Sequence, residues 1–337
     1  MQPFKTDNPC SSLSPRHRAA VYFLFTVIVG LLASLLSVAE AQRPLPRKGT
    51  GVWTLDWSYD DAYVATGGDD STLYIYRTSD YSLHQSVKLN GMIKSARWHP
   101  RENVLAIATH KGISLLHLPS GQLSPINALT VGGRGIDWNH TGELLALADG
   151  RGVVQIVNRQ GTLLRSIPKH NNHSYLALDW HPTKNILVAS SDEIHVFDTS
   201  GKQLSFIRHR KEPAGILSLR WHPSGAFFAS GDYGHEDEGI PTLLQFWKED
   251  GTLLKTMLGS KAEFRNIHWS RDGQFLATAS DALRIWNREG ELLSTGTTGY
   301  NLWSIGWNST GSQVLTASFD GHFDLWTPKA THIRKID

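Results

Sequence analysis

One pattern of apolar and polar positions recurs seven times along this chain. A small or polar residue, an apolar residue, a mostly polar residue and a tryptophan are followed by a turn-forming stretch: TLDWSYDD, SARWHPRE, GIDWNHTG, ALDWHPTK, SLRWHPSG, NIHWSRDG and SIGWNSTG. The tryptophans are Trp57, Trp98, Trp138, Trp180, Trp221, Trp269 and Trp307, with steps of 41, 40, 42, 41, 48 and 38 residues. Each unit also holds a short run rich in β-branched or aromatic residues, LYIYR, ISLLHL, VQIVNR, IHVFDT, LLQFWK, LRIWNR and FDLWTP in turn, which is strand composition. The sixth unit shows the whole pattern: strand FRNIHWS, turn RDG, strand QFLATAS, strand LRIWNR, turn EGE and strand LLSTG. Gly and Asp mark the turns because they tolerate positive φ or bond nearby backbone.

Four short strands per unit at a period of about 40–45 residues predict radially stacked sheets. The expected fold is all-β, a seven-bladed β-propeller over residues 51–337, preceded by a linker at 42–50 and an N-terminal hydrophobic signal or anchor helix within 1–41. The repeats resemble the WD-repeat β-propeller family over the whole of 51–337. The family dipeptide falls at the end of each third strand, here Tyr76-Arg77, Leu116-His117, Val157-Asn158, Phe197-Asp198, Trp247-Lys248, Trp286-Asn287 and Trp326-Thr327. The family's turn aspartate is better kept, as Asp70, Asp149, Asp192, Asp232, Asp281 and Asp320, with Lys111 in that region of blade 2. The Gly-His pair that opens each blade in the family is largely absent, so its buried Asp-His-Ser/Thr-Trp network is expected to be incomplete. Two closures of the ring stand open: packing of blade 7 on blade 1 with THIRKID as an outer strand, or RPLPRKG pairing into blade 7.

Aligning the inner strands on the tryptophans assigns levels along a central channel. Three residues before each Trp stand Thr54, Ser95, Gly135, Ala177, Ser218, Asn266 and Ser304, small as crowding about an axis requires. Two before stand apolar residues, Leu55 to Ile305, expected between blades. One before stand Asp56, Arg97, Asp137, Asp179, Arg220, His268 and Gly306, whose alternating signs suggest a partial ion-pair girdle or, alternatively, charges that face water independently. Four before stand Trp53, Lys94, Arg134, Leu176, Leu217, Arg265 and Trp303. This level is expected at the channel mouth on the face carrying the loops between blades. Trp and Arg are hot-spot residue types, so Trp53, Trp303, Lys94, Arg134 and Arg265 are candidate partner-binding residues. The opposing reading packs both indoles against Val52, Leu302 and the blade edges. Blade 5 inserts DYGHEDEGIP between its second and third strands, expected on that same face. Tyr233, His235, Glu236, Asp237 and Glu238 extend the candidate surface. The acidic run reads as a site for Ca²⁺ or a basic partner, or as a solvated loop, since Asp-x-Asp spacing is missing.

Composition narrows the chemistry. Net charge is +2 and falls to about +1 without residues 1–41, which gives no drive toward nucleic acid. The one cysteine, Cys10, precedes the repeats, which excludes disulfides, Cys-ligated zinc and thiol catalysis from the propeller. Residues 19–36, AAVYFLFTVIVGLLASLL, are uncharged and follow Arg16 and Arg18, with Ala39-x-Ala41 beyond them. They read as a secretory signal cleaved after Ala41, giving a periplasmic or secreted protein, or as an uncleaved single-pass anchor. Both readings carry the propeller across a membrane, and membrane contact is expected only through this segment. His99, His181 and His222 each sit in a Trp-His-Pro turn and are expected to serve the turn. His170 and His173 make a two-His start for a metal site that needs a third ligand from an adjoining loop. Asn139, Asn172 and Asn308 head N-x-S/T sequons. No catalytic motif occurs, and neither catalytic residues, metal ligands nor a cofactor are assigned. The expected function is a non-catalytic scaffold, exported or membrane-tethered, for a protein or peptide ligand. The rivals are an exported hydrolase or lyase with a shallow top-face site, and a carbohydrate- or cation-binding propeller centred on the blade-5 loop.

Overall fold

The computed structural model describes residues 50–336 apart from 119, 130, 171–173 and 236–237. The signal or anchor segment, its cleavage point, the linker to residue 49, Cys10, Asn172, His173, Glu236 and Asp237 therefore lie outside the described residues. Among the described residues no helix is long and apolar enough to cross a membrane.

Seven four-stranded antiparallel sheets form, each from consecutive strands in chain order. The inner strands are Val52–Trp57, Ile93–Trp98, Gly133–Trp138, Ala177–Trp180, Ile216–Trp221, Asn266–Trp269 and Leu302–Trp307. Each ends on its repeat tryptophan, and all seven indole residues are buried. The apolar residues two before each Trp are buried as well, from Leu55 to Ile305. They form mixed clusters with the second and third strands of the neighbouring blade, such as Leu55 and Trp57 with Leu315 and Phe323. The core is thus a ring of interblade layers.

A side-chain staple links each inner strand to the next. The indole Nε1 of Trp98 donates to the Asp56 carbonyl at 3.2 Å, and Trp138 to Arg97 at 3.2 Å. Trp180 donates to Asp137 at 3.2 Å, Trp269 to Arg220 at 3.4 Å and Trp307 to His268 at 3.1 Å. Trp57 closes the circle on Gly306 at 3.3 Å. Trp221 departs from the pattern, its Nε1 being buried without a hydrogen-bond partner.

Among the described residues blade 7 packs directly on blade 1, and RPLPRKG, the strand of the alternative closure, lies outside them. His332–Lys335 forms the outer strand of blade 7, paired with Phe323–Trp326. Tyr81 Oη donates to Gln313 Oε1 at 2.9 Å and Ser309 N to Asp61 Oδ1 at 2.9 Å, both between blades 1 and 7.

Histidines and turn glycines interlock on the face where the inner strands end. Nδ1 of His99, His181 and His222 accepts from the backbone N–H two residues on, at 3.2, 3.1 and 3.1 Å. Nε2 of His181 and His222 meets the carbonyls of Gly225 and Gly273 in the next blade at 3.1 and 2.9 Å. The expected turn role holds, and the rings brace adjacent blades as well. The sequon residues Asn139 and Asn308 are buried in their turns, with the Asn139 amide on Asn185 Oδ1 at 2.9 Å. Their burial leaves no room for a glycan.

The hydrogen-bond network is incomplete, as expected, and is fullest in blade 5, where only the Asp–His bond is missing and His209 Nδ1 is buried without a hydrogen-bond partner. His209 Nε2 meets Ser230 Oγ at 3.0 Å, Trp247 Nε1 donates to that same oxygen at 3.0 Å, and His209 Nδ1 lies 3.6 Å from Asp232. Blades 6 and 7 keep its Trp–Thr limb, Trp286 to Thr278 and Trp326 to Thr316.

Candidate functional site

The inner-strand register explains how the mouth level is built. In five blades the strand skips one residue against its partner, between Val52 and Thr54, Ile93 and Ser95, Gly133 and Gly135, Ile216 and Ser218, and Leu302 and Ser304. The skipped residues are Trp53, Lys94, Arg134, Leu217 and Trp303. A bulge frees a side chain from strict alternation and re-aims it. These residues therefore line the bore instead of continuing the interblade layers.

Trp53, Lys94, Arg134, Arg265 and Trp303 come together at one end of the bore, around a cavity of about 90 Å³ also lined by Leu176 and Leu217. The indoles of Trp53 and Trp303 meet edge to face with centroids 4.6 Å apart. Lys94 Nζ stands 3.5 Å from the Trp53 ring centroid, and Arg265 Cζ 4.3 Å from that of Trp303. Arg134 Cζ lies 6.0 Å from Trp53. Trp53 Nε1 donates to Asp69 at 2.7 Å, and Trp303 packs on Phe319 at 4.5 Å. Both indoles are half-buried, packed against each other and these neighbours. Arg265 is held by Glu263 at 2.5 Å. Among the described residues no carboxylate forms an ion pair with Lys94 or Arg134. Burial, and next the charge of Arg134, lowers the Lys94 pKa below the usual lysine range. The mouth is thus a pair of indoles under a surplus of positive charge.

Below it the bore narrows past Arg97 and Arg220 and opens at the other face into a cavity of about 440 Å³, lined by Asp56, Asp137, Asp179 and His268. The expected girdle forms at one contact, Arg220 to Asp179 at 2.5 Å. Arg97 donates to the Ala96 carbonyl at 3.0 Å, and its Nε has no partner. The carboxylates serve the backbone: Asp56 accepts from Trp98 N at 2.7 Å, Asp137 from Trp180 N at 3.0 Å and Asp179 from Trp221 N at 2.7 Å. Burial raises the pKa of all three, with the Asp179 charge adding to the rise at Asp137.

The blade-5 loop folds back on its own blade. His235 pairs with Ile240 and its Nε2 meets the Pro213 carbonyl at 3.3 Å. Glu238 N donates to the His235 carbonyl, and Tyr233 is 48% exposed. Arg210, preceding this blade, reaches Asp232 at 2.7 Å. The described loop residues do not line the mouth cavity.

Ser230, His209 and Asp232 are the residue types of a nucleophilic triad, yet all three are buried. Burial, and then the Arg210 charge, pushes the His209 pKa down to about 3. An imidazole so reluctant to take a proton, whose serine oxygen also receives an indole N–H, is a structural brace rather than a general base. The signal that would have revealed it is Trp247 with Asp232 and a histidine upstream. The preceding residue is Arg208 rather than the expected glycine.

Sequence comparison gives matches to the family described as WD domain, G-beta repeat, at residues 42–77, 201–237, 251–287 and 290–327. Among curated proteins, a eukaryotic translation initiation factor 3 subunit from Aedes aegypti is 22% identical over 301 residues, 83% of this chain and 40% of that protein. Serine-threonine kinase receptor-associated protein of Rattus norvegicus is 26% identical over 235 residues, 62% of this chain and 63% of that protein. F-box-like/WD repeat-containing protein TBL1X of Homo sapiens is 24% identical over 143 residues, 38% of this chain and 23% of that protein. The chain thus spans 40% of the length of the initiation-factor proteins it matches. Three of the four family matches each begin on or near the outer strand of one blade and run into the next, and the chain is a seven-bladed β-propeller that carries WD repeats in four places.

Proposed function

We propose that this propeller is a non-catalytic interaction scaffold, and that its bore mouth captures an acidic segment of a protein partner. The observation that carries the reading is the surplus of positive charge over paired indoles: Lys94 at 3.5 Å from Trp53, with Arg134 beyond it, no ion-pair partner for either among the described residues, and Asp69 bonded to the Trp53 indole. A carboxylate entering there gains charge-assisted hydrogen bonds in a partly desolvated site, and the indole faces supply flat apolar area. Two relatives carry association in their names, one as part of a translation initiation factor and one as a receptor-associated protein. Export or membrane tethering belongs to the same proposal, supported by the uncharged run at 19–36 behind Arg16 and Arg18.

Fluorescence anisotropy with a labelled Glu-rich, Phe-containing peptide tests the mouth. Binding is expected to weaken as salt rises and to vanish in Lys94→Glu/Arg134→Glu, with the melting temperature unchanged. A basic peptide of equal length should not bind. Equal binding of the acidic peptide to wild type and the charge-reversed variant would overturn the reading. N-terminal sequencing of the mature protein tests cleavage after Ala41.

A further inference from the structure

Blade 4 carries a group of ligand-type side chains that the bore mouth does not use. His170 lies in the connection from blade 3, Glu193 in the turn after blade 4's second strand, and His195 on its third strand, Ile194–Asp198. One donor atom from each lies within 4.8 Å of the others, with His170 Nδ1 3.5 Å from Glu193 Oε2. His195 is 0% exposed. Its Nδ1 meets Gln203 Oε1 at 3.0 Å, so Nδ1 carries the hydrogen and Nε2 presents a lone pair. That Nε2 is buried with no hydrogen-bond partner, as is His170 Nδ1.

The rings of Tyr175, Phe197 and Phe206 pack around His195 with centroids 5.2 to 5.8 Å away. Such a nest accounts for a buried flat ring. It does not account for a ring nitrogen left bare inside it, which costs stability unless something occupies it. An imidazole oriented through one nitrogen by an amide oxygen, with the other nitrogen bare beside a second imidazole and a carboxylate, is how metal-ligating histidines are presented.

We propose that His170, Glu193 and His195 form a zinc site. Two imidazole nitrogens and one carboxylate oxygen suit Zn²⁺ better than Ca²⁺ or Mg²⁺, which take oxygen ligands. His195 is the fixed ligand and Glu193 the anionic one. His170, with a side chain 42% exposed on a connecting segment, closes onto the ion. The remaining coordination position is open to water or to a donor from a bound partner. The site does not depend on the reading of the bore mouth.

The test uses the full chain stripped with EDTA and titrated with Zn²⁺ against a chromophoric chelator, with Co²⁺ absorption as a second readout. One equivalent is expected to bind, and Co²⁺ should give the intense visible bands of a tetrahedral site. His170→Ala and Glu193→Gln, both on turns or connections that fold without them, should each weaken binding at least about tenfold. Gln203→Met, which removes no ligand, should weaken it by about tenfold or more. His332→Ala, which removes a histidine from blade 7, should leave affinity unchanged. Absence of stoichiometric uptake, uptake insensitive to His170→Ala and Glu193→Gln, or uptake lost in His332→Ala would overturn the site.

Discussion

Replacing Trp138 or Trp221 by Phe separates the indole staple from the indole's bulk. The two residues are matched in setting, 6% and 5% exposed, each ending an inner strand and each packed on the Trp-His-Pro ring of the preceding blade at 5.1 and 4.6 Å. Truncation opens a similar void at both, so the cavity contribution largely cancels. Trp138→Phe also breaks the bond from Nε1 to the Arg97 carbonyl at 3.2 Å. That bond contributes about 1 kcal/mol net. At Trp221 the same change removes a buried N–H that has no partner. Relief of that unpaired donor recovers about 1–3 kcal/mol. Trp138→Phe should therefore be the more destabilising by roughly 2–4 kcal/mol. In a domain of this size the gap corresponds to roughly 3–7 °C in Tm. Equilibrium urea unfolding followed by far-UV circular dichroism measures it, with Tm by scanning calorimetry as a check. Equal losses at the two positions would refute the staple, because bulk alone would then account for both.

Three further outcomes follow from the geometry. Gly225 has φ +71°, and a Cβ there would lie 2.4 Å from His181, whereas Gly239 has φ +70° and open space. Gly225→Ala should cost at least about 2 kcal/mol, and Gly239→Ala only the backbone strain of about 1 kcal/mol; equal unfolding midpoints would contradict the interlock. His209 and His268 have pKa values held near 3 against an ordinary 6.5, burial being the first cause at both. Since the unfolded state binds more protons at these two sites between those values, their contribution to stability should fall as pH drops from about 6.5 toward 3, by about 1.4 kcal/mol per pH unit per fully buried histidine, while the raised Asp137 carboxylate acts in the opposite direction. His209 should carry the larger share, because His268 faces bore water; an unfolding free-energy difference between wild type and His209→Gln that stays flat from about pH 7 to about pH 5 would contradict this. Asp137→Asn keeps an acceptor for Trp180 N and removes an ionisation that burial disfavours, so it should raise stability near pH 8. Asp179→Asn breaks the pair with Arg220 and should lower it, and urea midpoints that move in the same direction would show this assignment of roles to be mistaken.

The seven-fold architecture was legible because one residue type does two jobs at one spacing. Each repeat tryptophan fills an interblade layer, and six of the seven also tie two inner strands. The levels of the bore were legible for a related reason, since Leu55 and its counterparts must be apolar to pack. The bulges were not legible, because a skipped residue is a property of two strands in register, and Trp53 and Lys94 carry no local sign of it. The girdle is partial, a single pair between Arg220 and Asp179. Alternating signs suggest ion pairs, but Asp56 and Asp137 commit an oxygen to a backbone N–H of the next blade, which sequence cannot show. The Ser230–His209–Trp247 brace of blade 5 is not legible because Arg208, not glycine, precedes His209. Of the blade-4 cluster, sequence reading raised only His170; Glu193 and His195 join it through the turn and third strand of that blade.

The proposed function requires the mouth indoles to be the surface a partner touches. An ¹⁵N–¹H TROSY spectrum of the indole N–H region reads this directly, with Trp53 and Trp303 assigned through Trp53→Phe and Trp303→Phe. On titration with the acidic peptide, the account predicts that those two resonances move together and saturably while the buried repeat indoles stay fixed, and that Lys94→Glu/Arg134→Glu abolishes the shifts. Binding that leaves Trp53 and Trp303 unmoved, or shifts that survive the charge reversal, would contradict it.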